Sequence, residues 1–168
     1  KHCAKDIALL DHKYTRDKVV VVVNSFKGSL GRQHCIESLT RFNSYGRIVI
    51  VSGGEDALAL QRNDSHWLLK VTHNSIDFTG LISMIEHQTL LEPHVGYFDT
   101  FFYTHDTTEF GMDAWRLIAA KDVGVTQPLI LTSPNMNMGI YNMTDLIDLR
   151  TSILAQKSSD HPDEEERQ

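Results

Sequence analysis

The chain has 168 residues, of which 41% are hydrophobic and 23% charged, and its formal net charge is -6. This length allows one domain with a single core and is too short for two lobes of ordinary size. Five of the 22 acidic residues lie near the C-terminus, so the rest of the chain is close to neutral. Nucleic acid is therefore not an expected partner, because its binding needs clustered cations.

Three segments are predicted from composition: a charged N-terminal segment (1–18), an α/β domain (19–156) and a disordered acidic tail (157–168). No apolar run reaches the ~18 residues that a membrane-spanning helix needs, so no membrane span is expected in this chain. The N-terminus lacks the apolar stretch of a secretory signal, which favours the cytoplasm for the chain as given. Because the chain begins at Lys1, further residues are expected upstream.

The predicted elements alternate between strands and helices. A run of five valines at 19–23 is typical of a strand that is covered on both faces. Helical spacing of apolar residues follows at 35–42, and a second apolar strand is predicted at 48–51. Further strands are predicted at 67–71, 97–104 and 129–131, with helices at 78–92, 112–120 and 144–155. This alternation predicts a single doubly wound, mainly parallel sheet flanked by helices.

The carboxyl ends of the strands are the candidate site, because ligands bind beyond these ends in open parallel sheets. After the fourth strand, His105, Asp106 and Thr107 begin a loop that is rich in oxygen ligands. Such a loop suits a hard divalent cation, Mn or Mg, which can bridge two phosphates. The alternative is that Asp106 caps the following turn through its own side chain.

The segment after the second strand holds Gly53, Gly54, Glu55 and Asp56. Paired glycines let a backbone approach a ligand closely, and an acid at this place can accept hydrogen bonds from a ribose or a base. The spacing matches neither GxGxxG nor a P-loop. The alternative is a tight turn that places both acids in the first turn of a helix.

The segment 133–141 offers amides and an aromatic ring, which could bind a sugar. Its alternative interpretation is a loop whose methionines fill gaps in the core. The two cysteines, Cys3 and Cys35, have no metal-binding spacing and no context that marks a nucleophile, so they are interpreted as idle thiols.

Together these segments resemble the nucleotide-sugar half of a GT-A glycosyltransferase, over roughly residues 19–147. The resemblance implies a Rossmann-like fold and transfer of a sugar from a nucleotide-sugar donor to a carbohydrate or other acceptor. In that family the first strand and its loop hold the nucleotide, and an acid after the second strand contacts the nucleoside. The donor-binding residues expected here are Asn24, Ser25, Phe26, Gly53, Glu55 and Asp56.

The metal-binding DxD motif of that family follows an apolar strand, where this chain has His105-Asp106-Thr107. Only Asp106 matches, so the resemblance implies Asp106 as the ligand of a divalent metal, Mn or Mg, with Glu109 or Asp113 as a second carboxylate. Asp113 is also the candidate catalytic residue that activates the acceptor. The acceptor-side residues that the resemblance implies are Asn135, Asn137 and Tyr141.

Two alternatives remain open at this point. The segment Ser25–Leu30, with Lys27 as a point charge on phosphate, is similar to the opening of two-lobed bacterial glycerate kinases. A non-catalytic α/β binding domain also accounts for the imperfect acidic motif and the short chain.

Overall fold

Seven strands form one sheet in the computed structural model, which describes residues 20–42, 47–111, 129–130 and 138–157. The order across the sheet is β3-β4-β2-β1-β5-β7-β6. The strands in chain order are β1 (Val20–Phe26), β2 (Ile48–Gly53), β3 (Ala59–Arg62), β4 (Trp67–Lys70), β5 (Thr100–His105), β6 (Leu129–Ile130) and β7 (Gly139–Asn142).

Four α-helices and one short 3₁₀ helix accompany the sheet in the described part of the chain. The α-helices are α1 (Arg32–Phe42), α2 (Thr79–Val95), α3 (Met143–Asp148) and α4 (Arg150–Leu154), and the 3₁₀ helix is Ile76–Phe78. None of the helices described is both long and apolar enough to cross a bilayer.

The sheet is mixed, so the expectation of a mainly parallel, doubly wound sheet is correct only in part. β1 pairs in parallel with β2 and β5, and β2 pairs in parallel with β4. The outer pairings, β3 with β4, β5 with β7 and β6 with β7, are antiparallel. An α/β architecture with a parallel centre is thus present, and antiparallel strands complete both edges.

The valine run is the centre of the sheet, as its composition predicts. Successive side chains of a strand face opposite sides, so Val20 and Val22 join one core cluster and Val21 and Val23 join the other. All four are at most 1% exposed. A strand buried on both faces needs apolar residues at every position, which accounts for the unbroken run.

Helices cover both faces of the sheet. Cys35, Ile36 and Leu39 of α1 pack on the face that also holds Phe102. On the opposite face, α2, α3 and α4 supply the apolar residues Leu81, Ile82, Met84, Leu91, Val95, Leu146 and Ile153. The domain therefore has three layers, with the sheet between α1 on one face and α2, α3 and α4 on the other, and the helices leave the strand ends accessible.

Two peripheral strands have no counterpart among the expected elements: β3 at one edge of the sheet, and β7 between β5 and the edge strand β6. β3 is a four-residue strand, ALQR, with no apolar run, and its side chains are only partly buried or exposed. β7 lies in the segment that was interpreted as a loop, and it begins at Gly139, a residue that is unfavourable in strands. Because β3 follows residues 54–58, the alternative that places Glu55 and Asp56 in the first turn of a helix is wrong.

Helix α2 continues past the point where Pro93 was expected to end it. The proline lies near the C-terminal end of the helix, so it interrupts little of the hydrogen-bond ladder. The backbone at His87 departs from helical geometry and kinks the helix. Gly96 then ends it with a φ of 77°, and its N–H donates to the carbonyl of Glu92 at 2.9 Å.

Several predictions lie outside the described residues: the charged segment 1–18, the helix at 112–120 and most of the acidic tail. The expected helix at 144–155 corresponds to α3 and α4, which meet at Leu149.

Replacing Gly80 by Ala should destabilise the protein. A Cβ atom at this position would lie 2.5 Å from Cε2 of Tyr103, a ring that is fully buried in the core and whose hydroxyl donates to the carbonyl of Asp77. Such overpacking typically costs about 1–3 kcal/mol, and we expect a loss of that size in the free energy of unfolding measured by urea denaturation. Gly111→Ala is the matched control, because no atom lies within 4 Å of the added Cβ. Unchanged stability of Gly80→Ala would contradict this packing.

Candidate functional site

A pocket of about 300 Å³ opens at the carboxyl ends of β1 and β5. Its wall is formed by residues from three places in the chain: the end of β1, the loop that follows β4, and the loop that follows β5. The lining residues are Asn24, Ser25, Phe26, Asn74, Ile76, Asp77, His105, Asp106 and Thr107. The pocket therefore lies at the edge of the sheet that the sequence predicts for ligand binding.

Backbone pairing explains why these residues meet. β1 continues beyond its valines through Asn24, Ser25 and Phe26, which were expected in a loop. In the parallel register Asn24 lies opposite His105, and Ser25 lies opposite Ser52. The N–H of Asp106 then donates to the carbonyl of Asn24 at 3.0 Å, which extends the pairing by one residue.

Asp106, the expected metal ligand, is one of two carboxylates in the lining of this pocket. It is 5% exposed, and its Oδ2 accepts a hydrogen bond of 2.6 Å from the hydroxyl of Ser25. Its Oδ1 accepts no hydrogen bond from any residue that the structure describes. The side chain thus bonds across to β1, whereas the capping alternative required a bond within its own loop.

Asn24 fixes the loop on the other side of the pocket. Its Oδ1 accepts from the N–H of Gly80 at 2.8 Å, in the first turn of α2, and its Nδ2 donates to the carbonyl of Ile76 at 2.9 Å. Phe78, which precedes α2, has no side chain that could cap the helix, so Asn24 satisfies one of its free N–H groups from a distant strand. The amide of Asn24 therefore positions the pocket wall.

Ile76 is held in an unusual conformation at this wall. Its φ of 51° lies in the left-handed region, which is rare for a β-branched residue. The side chain is 75% exposed. Strained backbone of this kind is concentrated at ligand sites, where the surrounding structure has to hold it in place.

Phe26 provides an apolar surface at the mouth of the pocket. It is the last residue of β1, and 48% of it is exposed. An exposed aromatic ring beside polar groups can stack on a base or a sugar.

His105 stands in the first position of the acidic motif and contacts a carboxylate that sequence analysis missed. Its Nδ1 lies 3.7 Å from Oδ1 of Asp77, which also lines the pocket. Burial lowers the pKa of His105, and the nearby carboxylates of Asp77 and Asp106 raise it by less. Its buried Nε2 has no hydrogen-bond partner in the part of the chain that is described.

The segment after β2 contributes a polar network beside the pocket, while its own residues are not among those that line it. Oε1 of Glu55 accepts from the hydroxyl of Ser52 at 2.5 Å. Asp56 is exposed and forms an ion pair of 2.7 Å with Lys27, which lowers the pKa of Asp56 and raises that of Lys27.

Gly53 was expected to let a ligand approach, but the structure gives it a packing role. A Cβ atom there would lie 2.9 Å from the carbonyl oxygen of His73 and 2.9 Å from a methyl group of Thr79. The glycine thus allows β2 to pass close to the loop that precedes α2. Gly31 acts similarly, since its Cβ would lie 2.8 Å from the carbonyl oxygen of Asp106.

Arg32, the first residue of α1, connects the strand ends and was not predicted. Its Nε donates to the hydroxyl of Ser25 at 2.9 Å, and its Nη2 donates to the hydroxyl of Ser52 at 2.7 Å and to the carbonyl of Phe26. Nothing in the local sequence marks this arginine, because its partners lie on different strands.

Asp77 could have been found from the sequence. It belongs to the polar segment Asn74-Ser75-Ile76-Asp77, which follows β4 at the same edge of the sheet as the other site loops. Ligands bind beyond the carboxyl ends of strands in open α/β sheets, and this segment lies at such an end as the other site loops do.

The remaining predicted residues lie elsewhere or outside the described part. Glu109 is exposed and lies 3.5 Å from Nε2 of His34, away from the pocket lining. Tyr141 belongs to β7, is 8% exposed and stacks on Phe101 with ring centroids 5.8 Å apart. Burial in this core raises the pKa of Tyr141. Asp113, Asn135 and Asn137 are outside the residues that the structure describes, so their roles stay predictions.

Cys35 is buried on α1, and its interpretation as an idle thiol agrees with its surroundings. Burial, with a smaller contribution from Asp106, raises its pKa to about 12. Because the thiolate is the reactive form, this cysteine is a poor nucleophile at neutral pH.

Among the described residues, no group of three or more His, Cys, Asp or Glu side chains is arranged to hold a metal ion by itself. A single carboxylate nevertheless suits a cation that takes its other ligands from phosphate and water, as Mg²⁺ does in phosphate-transfer sites. Asp106 fits that role through Oδ1.

No family model matches the chain, and neither a curated protein nor a solved structure was found to match it. The function therefore has to be argued from the site itself.

The pKa of His105 provides a test of the site's electrostatics. Because burial favours the neutral imidazole, proton NMR should place this pKa below the ordinary 6.5, with the signal assigned through His105→Asn. Asp77→Asn should lower it further, since the Asp77 carboxylate favours the charged form. Asp99→Asn, at the opposite end of β5, should leave it unchanged. A pKa above 6.5, or one that rises in Asp77→Asn, would contradict the geometry.

The same shift predicts how stability depends on pH. Since the folded pKa of His105 is depressed, the unfolded chain binds the proton first as pH falls below about 6.5, and the free energy of unfolding then decreases. His66 and His87, whose pKa values burial also lowers, contribute in the same direction. His105→Asn should reduce this decline between pH 7 and pH 5 in urea denaturation; an identical decline would show that His105 does not contribute.

Proposed function

We propose that the pocket binds the diphosphate of a nucleotide sugar together with a divalent cation, and that the domain is a GT-A-like glycosyltransferase. The observation that supports this most directly is the position of Asp106. Its carboxylate lines a pocket at the end of a parallel strand, beside Asn24 and Ser25 of the neighbouring strand. This is the arrangement that the resemblance to GT-A enzymes implies for a metal ligand and a nucleotide-binding strand.

The charges around the pocket support a cation-dependent ligand. Its described lining holds two carboxylates, Asp77 and Asp106, and includes no lysine or arginine. A bare diphosphate would be repelled by these carboxylates, whereas a diphosphate that carries a divalent cation would bring the missing positive charge. The pocket therefore favours a metal-bound phosphate ligand over a free anion.

The chemistry follows from the ligand. In glycosyl transfer the bond between the anomeric carbon and a phosphate oxygen breaks, and the electron pair leaves with the nucleoside diphosphate. The anomeric carbon forms a bond to the acceptor's nucleophilic atom, whose proton passes to a base. A bound divalent cation would neutralise the negative charge that develops on the leaving diphosphate. Asp106 would hold that cation, and Phe26 would offer its exposed ring to the base.

The glycerate-kinase alternative has less support from the same geometry. It requires the ammonium group of Lys27 to bind phosphate, and this group forms an exposed ion pair with Asp56 outside the pocket lining. Phosphate binding there would first have to break that pair.

Asp106→Asn should weaken metal-dependent donor binding at least tenfold, because it removes the charged ligand of the cation while keeping an oxygen that can accept the hydrogen bond of Ser25. Calorimetric titration with uridine and guanosine diphosphates, each with and without manganese, measures the effect. Asp99→Asn is the matched control, since it removes the same charge from the opposite end of β5.

Three results would lead away from the proposal. Manganese-dependent binding of equal strength in Asp106→Asn would remove Asp106 from the site. Stabilisation by ATP or glycerate alone would favour the kinase alternative, because a ligand that binds only the folded state raises the unfolding midpoint. If none of these compounds stabilises the protein, a non-catalytic binding domain becomes the better description.

A further inference from the structure

One guanidinium group links the two carboxylates that flank the end of β1. Arg32 donates to the hydroxyl of Ser25 on one side and to that of Ser52 on the other. Each serine in turn donates to an acid, Ser25 to Asp106 at 2.6 Å and Ser52 to Glu55 at 2.5 Å. Three strand ends and the start of α1 thus share one hydrogen-bond network.

The arginine determines which way each hydroxyl points. A serine hydroxyl has one proton to donate and two lone pairs that accept. Because an N–H group of Arg32 occupies a lone pair of each serine, the proton of each hydroxyl is directed to its carboxylate. Both serines are at most 2% exposed, which limits the access of water to their hydroxyl groups. The orientation of both acids therefore depends on Arg32.

The network has two branches, from Arg32 through Ser25 to Asp106 and from Arg32 through Ser52 to Glu55; Asp106 lines the pocket, and Glu55 lies outside its lining. The Ser25 branch occupies Oδ2 of Asp106 and leaves Oδ1 for a cation. The Ser52 branch holds Glu55. Glu55 is one of the two acids after β2, with Asp56, that the resemblance to GT-A enzymes implies as a contact of the nucleoside. Arg32 itself lies outside the pocket lining, so it acts through the serines.

We infer that Arg32 is a positioning residue that orients Asp106 for the cation through Ser25 and Glu55 for the nucleoside through Ser52. This inference rests on the proposed function, which assigns the cation to Asp106, and on the resemblance to GT-A enzymes, which assigns the nucleoside to Glu55. Arginine suits the task better than lysine, since its planar fork presents several N–H donors in fixed directions. An ammonium group at this position would reach one serine without holding the other in place.

The serine variants test each branch separately. Ser25→Ala should weaken the binding of manganese alone about tenfold, as measured from the electron paramagnetic resonance of the free ion, because a hydrogen bond to a charged group is lost. Ser52→Ala should leave the binding of manganese alone unchanged. At saturating manganese, Ser52→Ala should weaken the binding of uridine or guanosine diphosphate about tenfold in calorimetry. A purely structural role of the serines would not separate the two ligands in this way.

The arginine variant tests the link between the branches. Arg32→Lys should weaken the binding of both manganese and the nucleoside diphosphate, each about tenfold. Arg41→Lys is the matched control, because it makes the same change at the other end of α1, and it should bind both probes as the wild type does. If Arg32→Lys does not fold, as judged by circular dichroism, the two serine variants decide the question.

The outcomes separate this inference from the proposed function. A wild-type protein that binds neither manganese nor a nucleoside diphosphate overturns both. A wild-type protein that binds both probes, together with serine variants that bind them equally well, overturns the role of Arg32 alone. If Ser25→Ala and Ser52→Ala weaken manganese binding equally, the inferred role of Arg32 is also overturned, because the two branches would then not serve different ligands.

Discussion

The site depends on the parallel pairing of β1 with both β2 and β5 beyond the last valine. Had the pairing stopped at Val23, the polar residues that follow would lie in a loop without a fixed register. Continued pairing places Ser25 opposite Ser52 and brings the N–H of Asp106 to the carbonyl of Asn24. Backbone hydrogen bonds of the sheet therefore determine distances between side chains that are far apart in sequence.

Arg32 adds a positive charge that is not part of the pocket lining. The hydroxyls of Ser25 and Ser52 and the carbonyl of Phe26 accept hydrogen bonds from its guanidinium group. The carboxylates of Asp77 and Asp106 remain on the pocket side. The described lining of the pocket thus keeps two carboxylates and no lysine or arginine, which is the charge pattern from which the proposed cation site is argued.

The centre of the fold could be predicted from the sequence because its signals are strong and local. Five valines in succession suit only a strand that is buried on both faces, and polar residues at its end indicate the edge where ligands bind. Asp106 and Asn24 line one pocket at that edge, whereas Glu55 and Asp56, which are expected in the same site, are not among its lining residues. The glycosyltransferase assignment is not tested by these observations and stays a proposal.

The peripheral strands β3 and β7 and the role of Arg32 could not be predicted, because they depend on contacts between residues far apart in the sequence. β3 and β7 are short and lack apolar runs, so their antiparallel pairing is determined by the neighbouring strands that they complete. Arg32 has partners 7 and 20 residues away in sequence, on two different strands. Asp77 is different, since a polar segment after β4 did indicate it and was overlooked.

Gly31 allows very little change in the distance between α1 and the loop after β5. Helix α1 begins beside the β5 loop at a separation that leaves space for a hydrogen atom and not for a methyl group. Any bulkier residue would push the start of the helix outward, and the neighbouring guanidinium would move with it. The missing side chain of Gly31 therefore allows the close approach of α1 to the backbone of Asp106, on which the position of Arg32 relative to the strand ends depends.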